Sequence, residues 1–356
     1  MTIKFLNIKR WAAILPLIFV ASVALAQQNE TKYKADGSKY MGNSSIVIAV
    51  NLNGEPIDCE VAAFNVEDDE CRGAGYAQSS DKYGPRIVLV LQCDTEFTMY
   101  FRVVFNIDGI EYDVRAKNKY SLASGAMIGS KKNPYVIDIT SIDIKPTQGY
   151  QTYFDSNQSY LLPPGLNGYT YSIDGSALTC NKSYDSESSF KPSGLEVKGA
   201  VLPKETAAVL YTKSEAETIT IVATEDKGYA PAAKSSLYGT DVDTEITAAE
   251  GEKHYILGVG SKGLGFYIAY DPKAEKRSFT NKAHKAYLYL DAQQAKMAPA
   301  MISLGSDEDG EADGIAAVLC DDTPAASSQP VNLLGIPVSD DYQGVVIING
   351  KKVLKR

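Results

Sequence analysis

Histidine is nearly missing from this chain: among 356 residues there are two, His254 and His284. It is the side chain most often used as a general base, so proton-transfer chemistry has few places to reside. His254 follows Glu252 and Lys253 at a strand start and His284 lies in Asn281-Lys-Ala-His-Lys285, so both read as solvated turn or strand-edge positions. No Gly-x-Ser-x-Gly elbow occurs, and no Cys has neighbours that would activate a thiol. Close His or Cys pairs of the kind zinc requires are lacking too. Positive charge is short: 35 Lys and Arg stand against 44 Asp and Glu, a net charge of −9. That balance disfavours nucleic acid and anionic lipid as partners, since both need a basic footprint.

Long apolar runs are equally scarce, with one exception at the start. Lys4, Lys9 and Arg10 precede an apolar stretch from Trp11 that ends in Ala24-Leu25-Ala26, a small-x-small pattern. The stretch contains Pro16 and is short for a bilayer span, so residues 1–26 read as a secretory signal peptide. Its removal takes away three cations and no anion, moving the net charge from −9 to −12. It also removes Trp11, the single tryptophan. No later stretch is apolar enough to span a membrane, so the expectation is a chain exported through the periplasm, secreted or held at the cell surface.

What the chain has in quantity is β-pattern. Ile46, Ile48, Val50 and Leu52 alternate with their neighbours, as do Ile87-Val-Leu-Val-Leu91 and Met99, Phe101, Val103 and Phe105. A period of two places alternate side chains on opposite sheet faces. Asp108-Gly109 between two such runs is a hairpin turn signal. Pro85 and Pro134 open strands, where they remove no ladder hydrogen bond. Residues 27–42 are polar and without period, a flexible leader. Residues 43–142 therefore read as an antiparallel β-sandwich, joined near Lys145-Pro146-Thr147 to a second β-rich domain, 149–320, of sandwich or open-barrel form. One helix-compatible piece, 291–297, is short.

Five Cys leave at least one thiol unpaired. If 71–78 pairs as a hairpin with 86–93, Cys71 and Cys93 stand opposite each other and a Cys71–Cys93 disulfide follows; buried free thiols are the other reading. Asp307, Asp309, Glu311 and Asp313 gather hard oxygen ligands around Gly310, a spacing calcium can use. Gly305 and Ala316 occupy the end positions of an EF-hand loop, so that motif fails, and an acidic hairpin loop is the plainer alternative. With Trp11 gone, ring stacking on a sugar would fall to tyrosine, of which Tyr150, Tyr153, Tyr169 and Tyr171 are the dense set. Half-buried strand tyrosines are the competing explanation.

Residues 321–330 are a linker by composition. The tail, 331–356, reads as a strand at 331–334 beside a hairpin of Val345-Val-Ile-Ile348, the Asn349-Gly350 turn and Lys351-Lys-Val-Leu354. Three short strands are marginal alone, so the unit must dock or be recognised.

Ala62-Ala63-Phe64, Glu70-Cys71-Arg72-Gly73, Ile128-Gly129-Ser130 and Asn133-Pro134 together resemble an Ig-like module of secreted Bacteroidetes proteins. Gly149-Tyr-Gln-Thr-Tyr153, Leu162-Pro-Pro-Gly-Leu166 and Lys285-Ala-Tyr-Leu288 resemble a second β-rich region found in such proteins. Asn332-Leu-Leu-Gly-Ile-Pro-Val338 with Gly344, Asn349, Gly350, Lys351 and Lys352 is similar to their C-terminal tails, some of which are type IX secretion sorting signals. Val345, Val346 and Pro337 depart from that pattern. The resemblance implies an exported, multidomain β-protein whose tail meets the secretion machinery. With no catalytic constellation in view, the expectation is a non-catalytic protein that acts by binding a surface glycan or host protein, or as a structural module. The alternatives are an extracellular polysaccharide- or protein-degrading hydrolase built on scattered carboxylates, and a surface polymer subunit that exchanges a strand.

Overall fold

The structure, a computed structural model, describes residues 30–78, 82–174, 177–214, 216–228, 234–296, 298–304, 331–332, 344–348 and 351–355. It is all-β, built of mostly antiparallel sheets, and among the described residues its helical elements are 3-10 turns. The period-two runs of the sequence become its strands. In the first sheet, Asn43–Leu52 lies between Ile87–Gln92 on one side and Tyr135–Ile139 on the other. The second sheet runs in the order Cys71–Tyr76, Glu60–Asn65, Phe97–Ile107, Ile110–Leu122. Ile107 pairs with Ile110 across Asp108-Gly109, both at positive φ, as the two-residue turn demands. The two sheets close on one core of Ile46, Ile48, Leu89, Phe101, Val103 and Ile137. Tyr135–Ile139 joins Asn43–Leu52 in parallel, so this sandwich is not wholly antiparallel.

Beyond the first sandwich the sheets continue as a stack. The third sheet (Ser141–Ile144, Ile219–Thr224, Ser159–Leu162, Ala200–Leu202) is apolar on both faces. Leu161, Val201 and Val222 enter the first core, while Tyr160, Leu162, Leu202 and Ile221 meet the fourth sheet. The fourth sheet (Tyr150–Tyr153, Ala208–Thr212, Leu166–Asp174, Ala177–Tyr184) repeats the arrangement. Ala208 and Leu210 face the third sheet; Val209, Tyr169 and Tyr171 face a fifth. Burial on both sides explains why Tyr160-Leu-Leu162 and Ala208-Val-Leu210 carry no apolar–polar alternation. Each Val or Leu so enclosed contributes about 1.5–3 kcal/mol. The fifth sheet holds Leu237–Thr240, Lys285–Leu290, Lys253–Gly260, Gly263–Ile268 and Met301–Ser303, in that order. A ribbon of Thr244–Thr247 with Ser278–Asn281 lies alongside it.

Arg102 ties the first sandwich to the third sheet. Its guanidinium is fully buried; Nε donates to Asp113 Oδ1 at 2.8 Å, and Nη1 and Nη2 donate to the two carboxylate oxygens of Asp226 at 2.8 and 3.1 Å. Burial opposes the charge, but Asp226 and Asp113 outweigh it and hold the guanidinium above its ordinary range. Tyr112 donates to the carbonyl of Thr220, and the amide of Glu225 to the carbonyl of Arg115.

From Glu30 onward the leader makes contacts with the first sandwich. The amides of Lys32 and Tyr33 donate to the buried Glu60 carboxylate, and the Tyr33 hydroxyl donates to Asp113 Oδ2 at 2.7 Å. Tyr33 is 2% exposed, edge-on to Phe64. The polarity of this segment serves a carboxylate that would otherwise be buried without partners. The helix-compatible piece contracts to a 3-10 turn, Gln294–Lys296.

In the tail, Val331–Asn332, Gly344–Ile348 and Lys351–Lys355 form a three-stranded antiparallel sheet, with Ile348 paired to Lys351. The signal-like segment 1–26, the acidic cluster Asp307, Asp309, Glu311 and Asp313, the linker 321–330 and the turn residues Asn349 and Gly350 lie outside the described residues. Among the described residues no helix is long and apolar enough to cross a membrane.

Candidate binding site

The residues marked by sequence for chemistry are largely taken up by packing. Cys71 and Cys93 are free thiols and form no disulfide. The hairpin that would have opposed them does not form, because Cys71–Tyr76 pairs with Glu60–Asn65 and Ile87–Gln92 pairs with Asn43–Leu52 in the other sheet. Of the expected ladder only the bridge Gln78 to Arg86 exists. Burial pushes the Cys71 thiol up to about 11, leaving it protonated and unreactive at neutral pH. Tyr153, Tyr169 and Tyr171 are core residues, and Tyr150 packs against Tyr211 with ring centroids 4.4 Å apart. None of these four forms an open sugar platform.

The two histidines part company. His284, at φ +55°, occupies a turn and is part-exposed. Its Nδ1 lies 3.1 Å from the carbonyl oxygen of Phe154, 3.8 Å from Asp155 Oδ2 and 4.0 Å from Asp241 Oδ1. The nearby Ser156 hydroxyl donates to Asp241 rather than to the imidazole, so serine and histidine are not coupled as nucleophile and base. His254 is not solvated but 3% exposed, its ring 5.3 Å from that of Tyr289 and 5.5 Å from that of Tyr287. Among the described residues its Nδ1 has no hydrogen-bond partner, and burial lowers its pKa more than the Glu252 charge restores it.

The open aromatic surface is on the outer face of the fifth sheet. In Lys285–Leu290, Ala286, Leu288 and Leu290 turn inward to the core shared with the fourth sheet. Alternation puts Tyr287 and Tyr289 on the opposite face. On the next strand Tyr238 is the direct partner of Tyr287. The Tyr238 ring is nearly parallel to that of Tyr287, at 6.2 Å, and edge-on to that of Tyr289, at 5.5 Å. Tyr238 is 40% exposed. His254 supports Tyr289 from the neighbouring strand, and Phe279 of the adjoining ribbon supports Tyr287.

Glu252 fixes the polar end of this surface. Its carboxylate accepts the Ala249 amide at 2.9 Å and the Tyr289 hydroxyl at 2.8 Å, and these bonds hold it below the usual carboxylate range. The same carboxylate, as acceptor, pushes the Tyr289 phenol up to about 12. The arrangement is a part-exposed cluster of three tyrosine rings with an ionised acceptor at its margin. It can stack on a flat ligand and accept hydrogen bonds from it, and it holds no activated nucleophile. The run Ala286-Tyr-Leu-Tyr-Leu290, aliphatic on one face and tyrosine on the other, is the sequence signal for it. Comparison of the chain with protein-family models, curated proteins and solved structures finds no match.

Proposed function

We propose that this chain is an exported, non-catalytic binding protein that engages a surface polysaccharide through Tyr238, Tyr287 and Tyr289. The paired rings of Tyr238 and Tyr287 with the edge-on Tyr289 carry this reading. An aromatic face is electronegative, and the C–H bonds of a pyranose, polarised by the neighbouring oxygens, pack against it. Glu252 supplies a charged acceptor for a sugar hydroxyl at the edge of the platform. Export rests on the charged, apolar and small-x-small order of residues 1–26, and on the tail with Gly344, Asn349, Gly350, Lys351 and Lys352, whose partner is the secretion machinery. A glycan array probed with the protein lacking residues 1–26 tests the binding reading. The expected result is retention on a family of polysaccharides that Tyr238→Ala abolishes; an empty array, or signals indifferent to Tyr238→Ala, overturns it.

A structural role has one observation in its favour. On the outer face of the first sheet Val88, Val90, Val136 and Met127 are 47, 53, 41 and 79% exposed. That apolar face suits self-assembly, and sedimentation showing a concentration-dependent oligomer that Val90→Lys disperses would support it.

A further inference from the structure

A cleft of about 410 Å³ opens where two strands of the fifth sheet separate. Lys253–Gly260 and Lys285–Leu290 pair from Lys253 opposite Leu290 as far as Ile256 opposite Tyr287. Beyond that point Leu257 to Gly260 continue only with the strand Gly263–Ile268. The departing hairpin forms one wall with Ile256, Leu257, Val259 and Leu264, and the opposite wall comes from the edge strand Tyr150–Tyr153. Ile256 and Val259 are 39% and 52% exposed, unusual for branched side chains lining a recess.

The charges around this cleft are of one sign. Lys145, Lys282 and Lys285 line it, and no Asp or Glu does, although the chain as a whole is acidic. Lys282 is engaged by Asp243 at 2.8 Å. Lys285 is half-buried, and among the described residues its ammonium has neither a hydrogen bond nor an ion pair. Burial alone lowers its pKa, as expected of a cation without a counter-charge. An ammonium withdrawn from water beside aliphatic walls is stabilised by an anion that brings its own apolar body.

We infer that this cleft binds a free amphiphile with one anionic head, an alkyl carboxylate, its carboxylate paired with Lys285 and its chain against Ile256, Leu257, Val259 and Leu264. The volume is within the range of small-molecule sites. The cleft adjoins the tyrosine platform, since Ile256 is the strand partner of Tyr287, but none of the three rings lines it.

Calorimetric titration with decanoate below its micellar concentration tests the inference, with decanol as the neutral control and vesicles of anionic lipid as the membrane control. The expected result is saturable binding of one decanoate, with decanol at least about tenfold weaker, the equivalent of one charged hydrogen bond. Lys285→Gln should erase the preference for decanoate while leaving decanol affinity unchanged, and Lys285→Arg should retain it. Circular dichroism of each variant separates loss of binding from loss of fold, and Val259→Asp should weaken both ligands. No decanoate binding, equal affinity for decanol, an unchanged Lys285→Gln variant, or binding to vesicles alone overturns the inference.

Discussion

Arg102 and Asp226, 124 positions apart in sequence, meet through two buried hydrogen bonds of 2.8 and 3.1 Å. Removing Asp226 leaves Nη1 without its acceptor in a site closed to water, with Asp113 the remaining carboxylate on the guanidinium, at a cost of about 3–5 kcal/mol. Asp226→Ala should lower stability to chemical denaturation by that amount. A loss under about 1 kcal/mol for Asp226→Ala would mean that the sandwich and the third sheet are held together elsewhere.

Tyr33 bears on the same network from the N-terminal side. Its hydroxyl donates to the Asp113 carboxylate that also receives Arg102, with Lys32 Nζ at 2.8 Å. Tyr33→Phe removes one hydrogen bond to a charged acceptor and should cost about 1.5–3 kcal/mol. Thermal unfolding of the variant reads this directly, and an unaltered midpoint would mean that this hydrogen bond adds nothing to the stability of the sandwich.

His254 sets a pH dependence whose sign is fixed. Its folded pKa lies below the ordinary value near 6.5 because burial disfavours the imidazolium. The unfolded chain therefore binds the extra proton first, and the stability that neutral His254 contributes is present above pH 6.5 and lost as pH falls. The slope from this one group cannot exceed about 1.4 kcal/mol per pH unit. Denaturation midpoints from pH 7.5 to 5 should fall for the native sequence and fall less for His254→Phe. Equal slopes would place the acid sensitivity elsewhere.

The tail is a three-stranded sheet whose order in sequence, Val331–Asn332, Gly344–Ile348, Lys351–Lys355, is also its order in space. Deleting residues 331–356 should leave the unfolding midpoint of the rest nearly unchanged while trapping the protein in the periplasm of its host. A truncated protein that still reaches the surface and melts several degrees lower would make the tail structural.

The strands of the first sandwich were legible because one face is apolar and the other is not: Ile87–Gln92 alternates as cleanly in the structure as in the sequence. The stack beyond it was not, since a sheet buried on both faces loses that alternation, and Ala208-Val-Leu210 carries none. Nor did any local pattern mark that Arg102 of the first sandwich completes its ion pairs with Asp226, two residues past the third-sheet strand Ile219–Thr224. Tyrosine density misled where pairing mattered. Tyr150, Tyr153, Tyr169 and Tyr171 are near in sequence and face cores or one another, whereas Tyr238 meets Tyr287 only through strand pairing across 49 positions. Cys71 and Cys93 failed similarly, because sequence proximity does not tell which sheet a strand joins.

Calorimetric titration of the strongest polysaccharide from the glycan array against the native protein, Tyr238→Ala, Tyr287→Ala and Tyr289→Phe tests the tyrosine platform most directly. Loss of the Tyr238 or Tyr287 ring should weaken binding at least about tenfold, the 1.4 kcal/mol scale of a lost aromatic contact. Tyr289→Phe keeps the ring, frees Glu252 from its phenol and should change affinity by less than the ring deletions. If every variant binds as the native protein does, with circular dichroism unchanged, the tyrosine face is not the binding surface.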